Sequence, residues 1–468
     1  MTSKIVVNNI ESDSGINSVT FNSNIQIGTG TTIHSSGIDL GSGNITGGIV
    51  TATSFSGSGA SLTSLPAGNL TGTLPALDGS ALTGVGVGTA DSINTSGIIT
   101  ATAFVPTTGQ LSHRNLIING AMIVAQRGSS FNTHPSYAVD RFRWGWGNLS
   151  TGSNINVYQL SLSSSDTGPW EKGFRKYTRM NLPAAGTANA NAYSNLTYKA
   201  EGQDIANSGW DYTSASSYIT ISFWFKCSTN QTFYAEFQSK DGTAQSYVFP
   251  FTASGNNTWT KITKTVPGNS NVQIDNDTGG GFDIRWYPFY GTDYTNNKTL
   301  NSWSAYSGSN ILPDMASTWL TAGASTFDVT GVQLEVGSVA TPFEHKSYQD
   351  EIMRCYRYYY AHKGMLWGAT SAGDHLDLNI TFPVPMRTAP SRTQVDTSLL
   401  FKNRLNQNNS TSASTYSYSG VVSPTGDFWV ARPGSGDSWG VYYTTTESRG
   451  IYYHAYEGTT SYAWSAEL

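Results

Sequence analysis

The sequence predicts an all-β chain: a thin Gly/Ser/Thr-rich stalk, then an antiparallel sandwich, a short helix and a second β domain. Three observations carry this expectation. Charged residues make up only 12% of the 468, while aromatics also reach 12%, with 26 Tyr and 13 Trp. That balance is the reverse of a disordered chain and suits rings packed on pleated sheets. The composition breaks sharply near residue 112: before it the aromatics are Phe21, Phe55 and Phe104, with no Trp, Tyr or Cys. Beyond the break, short runs of alternating apolar and polar residues are separated by Gly, Asn and Asp, the pattern of strands joined by turns.

The first segment contains repeats. GIVTATSF at 48–55 returns as GIITATAF at 97–104, and GASLTSL at 59–65 returns as GSALTGV at 79–85. Such units bury an apolar side only by stacking on neighbours or on other chains. The regular Ile49, Phe55, Leu62, Leu65, Leu70, Leu74 and Leu82 would be wasted in a Gly/Ser linker. Small residues let backbones approach closely, so three chains wound about one axis, aliphatics inward, is the expected arrangement.

Past the break, YITISFWFKC at 218–227 alternates cleanly. Ile219, Ile221, Phe223 and Phe225 take one face, and Thr220, Ser222, Trp224 and Lys226 the other. TFYAEFQ, SYVFPF, TWTKITKTV, GFDIRWYPF and TFDVTGVQLEV continue the series, which suggests an antiparallel sandwich. SYQDEIMRCYRYYYAH at 347–362 is the helix candidate, with Ser347 and Asp350 placed for capping and Ile352, Tyr356, Tyr359 and Tyr360 near one face. Residues 364–468 read as a second β domain, with LDLNITFPV, GDFWVA, WGVYYTTT, GIYYHAY and TSYAWSA strand-like.

Composition also excludes function classes. A net charge of −5 gives no basic field, so neither nucleic acid nor an anionic membrane is an expected partner. No apolar run approaches the ~20 residues of a spanning helix. The start, MTSKIVVNNIESDSG, shows no h-region of a signal peptide. Cys227 and Cys355 lie far apart and are expected as reduced thiols rather than a disulfide framework.

NLIINGAMIVAQRG at 115–128, followed by YAVDRFRW at 137–144, resembles the opening of a carbohydrate-binding-module-like jelly roll common in bacteriophage tail fibres, including those of marine bacteria and cyanobacteria. FDVTGVQLEVGSVATPFEHKSYQDEIMRCYRYY at 327–359 resembles the end of the same domain. The repeats before them are similar to phage-fibre shafts. The resemblance covers about residues 45–360. It implies a homotrimeric fibre of the virion's tail, acting at the host cell surface and released by lysis. Together with the composition, it divides the chain into a virion-attachment segment (1–40) that meets tail or baseplate proteins, a stalk (41–112), a jelly roll (113–346) and a helical linker (347–363), while the aromatic-rich strands of 364–468, outside the resemblance, read as a receptor-binding β-sandwich tip. The expected function is attachment to a host polysaccharide or lipopolysaccharide by non-catalytic binding. A purely structural tail or baseplate component and a depolymerase are the competing readings.

Sugar recognition needs flat aromatic faces beside hydrogen-bonding side chains. Trp144 and Trp146 share a strand face, and Trp286 adjoins Asp283 and Arg285. The C-terminal region crowds Trp429, Trp439, Tyr442, Tyr443, Tyr452, Tyr453 and Trp464 into a short span. Neighbours in a strand point to opposite faces, so one ring each of Tyr442–Tyr443 and Tyr452–Tyr453 faces outward or into an interface. These ten are the candidate glycan-binding residues. Asp140–Arg141 and Glu335 read as structural charges. No cofactor is expected beyond a structural calcium. DNDTGGGFD at 275–283 offers Asp275 and Asp277, but Gly279 and Trp286 stand where a calcium loop needs ligands, so it reads as a glycine turn.

No catalytic residue is assigned. Gly436-Asp437-Ser438-Trp439-Gly440 matches G-x-S-x-G in form only, because a strand rather than a helix follows it. The seven histidines (His34, His113, His134, His345, His362, His375 and His454) show no metal-binding spacing.

Overall fold

The computed structural model describes residues 112–152, 154–363, 367–371, 375–394, 399–402, 410–413, 416–423, 426–433 and 460–468. The expected attachment segment and stalk lie outside the described residues. In chain order the sandwich strands are β1 (Ser130–Phe131), β2 (Ser136–Val139), β3 (Phe142–Gly147), β4 (Asn156–Ser161), β5 (Lys176–Leu182), β6 (Tyr193–Glu201), β7 (Tyr218–Cys227), β8 (Phe233–Ser239), β9 (Gln245–Phe251), β10 (Thr260–Pro267), β11 (Gly280–Tyr290), β12 (Trp303–Ala305) and β13 (Ser325–Val336). One sheet runs β1-β4-β5-β13-β7-β10, the other β12-β9-β8-β11-β6-β3-β2. Every pairing in them is antiparallel. The chain passes repeatedly from one sheet to the other, as in β5–β6–β7–β8, which makes a two-layer jelly roll.

Alternation explains the core. Ile219, Ile221, Phe223 and Phe225 of β7 are all fully buried, as their period-2 spacing predicts. They meet Phe233, Phe237, Ile284 and Trp286 from the facing sheet in one cluster. Its rings pack edge to face: Phe225 lies 4.9 Å from Phe251, and Phe223 lies 5.7 Å from Trp286. Cys227 and Cys355 are buried free thiols.

The two motifs that bracket the domain are stitched together. Leu116 N donates to Leu334 O at 2.9 Å, while Asn115 Oδ1 accepts from Ile117 N and Leu334 N. Asp140 is buried and takes hydrogen bonds from Gln126. Glu335 accepts from Thr341 N and Oγ1. Both carboxylates are structural, as expected.

On the outer side of the six-stranded sheet, Asp166 accepts from Lys226 Nζ at 3.0 Å and Trp259 Nε1 at 2.9 Å. Burial alone would push its carboxyl up, but these bonds and that from Ser163 N outweigh it and hold the pKa at about 2. An ordinary Asp titrates near ~3.9, so this contribution is complete above about pH 4 and is lost as the pH falls through about 2. Asp166→Asn is therefore expected to flatten the fall in urea midpoint over that acid window. Parallel wild-type and mutant profiles there would refute the assignment.

The expected helix is shorter than its pattern. It spans Tyr348–Tyr356, with Ser347 Oγ accepting from Asp350 N at 3.1 Å as the cap. Tyr359–Lys363 is instead a strand, paired antiparallel with Thr460–Ser465, which also pairs with Ser391–Gln394. Tyr359 and Tyr360 therefore leave the helical face assigned to them. The last residues also return to the sandwich. Glu467 pairs with Arg127 at 3.0 Å and with Arg141, and Lys199 Nζ donates to Leu468 O at 2.9 Å. Within 364–459, Trp367–Ser371, His375–Thr381, Gly426–Pro433 and Tyr416–Ser423 form one antiparallel sheet.

Candidate functional site

The outer face of the seven-stranded sheet follows from what its strands bury. On β11, Phe282, Ile284 and Trp286 point inward, so Asp283, Arg285 and Tyr287 point out. The same logic turns out Tyr193, Asn195, Thr197 and Lys199 of β6, Arg143, Gly145 and Gly147 of β3, and Tyr234, Glu236 and Gln238 of β8. Strand register sets these residues in rows. Arg143, Thr197, Arg285 and Glu236 lie side by side, and Lys199, Asp283 and Gln238 form the next row. Gly147, Tyr193 and Tyr290 form a third.

A charged network occupies the middle. Glu236 is fully buried, accepting from Ser246 Oγ at 2.6 Å, from Arg285 Nη1 at 3.0 Å and from the Tyr287 hydroxyl. Arg285 also donates to Gln238 Oε1 at 2.5 Å and Asp283 Oδ2 at 2.6 Å. Burial works against the Arg285 charge, but the oxygens of Tyr287, Glu236 and Asp283 more than offset it, so its pKa stands well above the ordinary value. Burial and Glu236 together push the Tyr287 phenol up. Asp283 Oδ1 has no hydrogen-bond partner among the described residues.

Beside the network runs a row of rings. His134 lies 6.0 Å from Tyr193, which lies 6.1 Å from Tyr290 and 6.2 Å from Tyr294. Tyr290 continues the row to Tyr287 at 4.6 Å. Tyr193, Tyr290 and Tyr294 are each part-exposed. Their positions are held from below and behind. A Cβ at Gly147 would stand 2.6 Å from Tyr193 Cε1, so only glycine lets that ring lie over β3. Asn195 Nδ2 donates to the Tyr290 hydroxyl at 2.8 Å. Tyr294, Leu300 and Tyr306 pack on a second apolar cluster of Val248, Tyr287, Ile311 and Leu312. The result is a pre-set aromatic strip with donors and acceptors alongside, which suits the C–H faces and hydroxyls of a sugar.

Three expected glycan contacts are corrected. Trp144, Trp286 and Trp464 are each fully buried. Trp144 points between the sheets and donates from Nε1 to Thr178 Oγ1 at 2.8 Å. Trp286 shares the inward face of β11 with Phe282 and Ile284. Trp464 stacks on Tyr360 with centroids 6.1 Å apart and meets Phe382 at 5.6 Å. Trp146, on the same side of β3 as Trp144, is half-buried and packs against the core cluster, 5.5 Å from His134. Trp429 lies in the strand Gly426–Pro433, of which the backbone is described. Trp439, Tyr442, Tyr443, Tyr452 and Tyr453 lie outside the described residues. Sequence reasoning missed Tyr193, Tyr290 and Tyr294; the available signal was RWGWG at 143–147, with bulky rings on one face and glycine on the other.

The acidic loop behaves as a turn. Asp277 Oδ1 accepts from Gly279 N and Asp241 Oδ2 from Asp275 N, each at 2.8 Å. No group of three or more His, Cys, Asp or Glu is placed to hold a metal among the described residues.

No protein-family model and no curated protein matches the chain. Among solved structures it is similar to the enzymatically active domain of tailspike protein 4 of bacteriophage CBA120, at 11% identity and a TM-score of 0.26 over 47% of this chain and 21% of that one. The chain thus spans about a fifth of that tailspike domain. It is also similar to a family 11 carbohydrate-binding module from Clostridium thermocellum in complex with a mixed-linked tetrasaccharide (13% identity, TM-score 0.22, 46% of this chain and 98% of that one). A third is the xylan-binding domain CBM22-1 from Paenibacillus barcinonensis (10% identity, TM-score 0.22, 50% and 100%).

Proposed function

We propose that the jelly roll is a non-catalytic glycan-binding module and that the outer face of its seven-stranded sheet carries the site. The observation behind this reading is the strip of part-exposed rings, Tyr193, Tyr290 and Tyr294, with Tyr193 laid on Gly147 and the Arg285–Glu236–Asp283 network alongside. Tyrosines present wide, stiff, amphipathic surface at low entropic cost. Glu236 is tied up on both oxygens, which suits a binding role better than acid–base turnover. In the same proposal the chain is a homotrimeric phage tail fibre, fixed to tail or baseplate proteins through its first residues and meeting polysaccharide or lipopolysaccharide at the host surface. Three weak sites on one fibre would gain avidity through effective concentration.

The test is to incubate purified protein with host cells and extracted host polysaccharide, reading adsorption and release of reducing ends together. Adsorption without release is the expected result. Release of reducing ends overturns the non-catalytic reading, and absence of adsorption overturns the binding role. A monomeric mass in solution would sink the trimer.

A further inference from the structure

The inference that follows rests on the proposed glycan site and concerns the class of sugar. Arg143, Lys199, Lys240 and Arg285 all belong to the outer rows of the seven-stranded sheet or its rim, against two carboxylates, Glu236 and Asp283. Arg285 consumes both of those by direct contact, at 3.0 Å and 2.6 Å. Lys240 Nζ stands 3.6 Å from Asp283 Oδ2, and Lys199 Nζ is engaged by Leu468 O. Arg143 has no hydrogen bond or ion pair from any described residue, although it lies on β3, one strand in from the sheet edge, with Gly145 two residues along on the same face. Arg143 is therefore a cation without a counter-ion among the described residues, in a chain whose net charge is −5.

The cations also oppose one another. Burial, then Lys240, Arg143 and Arg285, counter the Lys199 charge, with Asp283 favouring it. Burial and Arg143 lower the pKa of His134 at the end of the ring row. The two carboxylates of this face, Glu236 and Asp283, are both engaged by Arg285, so an external anion is what would answer the Arg143 charge. Arg143 opposes Thr197 in the register, and Tyr193 lies four residues further along β6. At about 3.3 Å per residue that is about 13 Å, a span a short oligosaccharide covers.

We infer that the ligand is an acidic glycan bearing carboxylates, of the uronic-acid type, with one carboxylate paired to the Arg143 guanidinium while a neighbouring sugar ring lies on Tyr193. The planar guanidinium matches a carboxylate in a two-bond fork, which a lysine ammonium does not.

The test is a panel of uronate-containing and neutral polysaccharides, each uronate also presented after carboxyl reduction and joined by a sulfated glycan. Binding of full-length protein is measured by calorimetry at low and physiological salt. Uronates are expected to bind roughly tenfold more tightly than their reduced forms, the size of one charge-assisted hydrogen bond. Salt should narrow that difference. Arg143→Gln should abolish the preference while leaving the thermal midpoint in place, and Arg143→Lys should restore part of it. Equal binding before and after reduction, or an unchanged preference in Arg143→Gln, overturns the inference but leaves the glycan site standing. Preference for the sulfated glycan alone overturns the carboxylate assignment. Failure to bind any member overturns the inference together with the reading beneath it.

Discussion

Glu467→Ala is expected to destabilise the jelly roll by about 3–5 kcal/mol, the cost of leaving a buried charge without its partner. The Arg141 side chain is 1% accessible and Glu467 is the one carboxylate paired with it among the described residues. The guanidinium lies 3.3 Å over the Tyr358 ring and donates to Lys199 O, while its Nε has no partner among the described residues. Neither a ring face nor a carbonyl replaces a carboxylate. Arg127, the second partner of Glu467, keeps Asp140 at 3.5 Å and its place over Tyr359, so the loss falls on Arg141. A shift of this size lowers the midpoint of a domain this large by on the order of 10 °C. Urea unfolding followed by tryptophan emission reads the sandwich, because Trp144, Trp286 and Trp319 are all buried in it. Arg141→Met combined with Glu467→Ala should recover part of the loss, since an apolar pair removes the stranded charge. A loss under about 1 kcal/mol in the single mutant would mean that the C-terminal residues do not close the sandwich.

The strand just before Glu467, Thr460–Ser465, is also where the sequence is least legible. The β7 alternation and the Ser347 cap are local patterns, set by residues two or three apart, and both appear in the structure as read. The helix is shorter than its pattern because Tyr359–Lys363 takes its conformation from Thr460–Ser465, about a hundred residues later. No local periodicity records such a pairing. The same limit explains the tryptophans. Alternation assigns residues to two faces without naming the buried one, so by pattern alone Trp144 and Trp286 fit either face. Their neighbours held the answer. Gly145 and Gly147 on one strand, and Asp283 and Arg285 on another, mark the opposite face as the outer one. RWGWG marks the face on which the ring strip lies but not its members, because Tyr193, Tyr290 and Tyr294 come from β6, β11 and the loop after it, and only register brings them together.

Tyr193→Ala is expected to weaken glycan binding by about 2 kcal/mol, roughly 30-fold, as for a central aromatic in a binding surface. Tyr193 is the hinge of the strip, in ring contact with His134, Tyr290 and Tyr294. Its removal deletes one stacking face and frees its neighbours to move. Stability should change little, because the ring is part-exposed on the outer side and contributes nothing to the apolar cluster between the sheets. Gly147→Ala provides the complementary reading. It adds a methyl carbon at 2.6 Å from Cε1 and leaves every sugar-facing group present. If ring placement is what matters, Gly147→Ala should lose a large part of the same affinity with the tyrosine intact. Calorimetric titration of both mutants against the polysaccharide that adsorbs the wild type decides it. Wild-type affinity in Tyr193→Ala would move the binding site off this face altogether. Weak binding in Tyr193→Ala with full affinity in Gly147→Ala would keep the ring and discard the glycine floor as its positioning device.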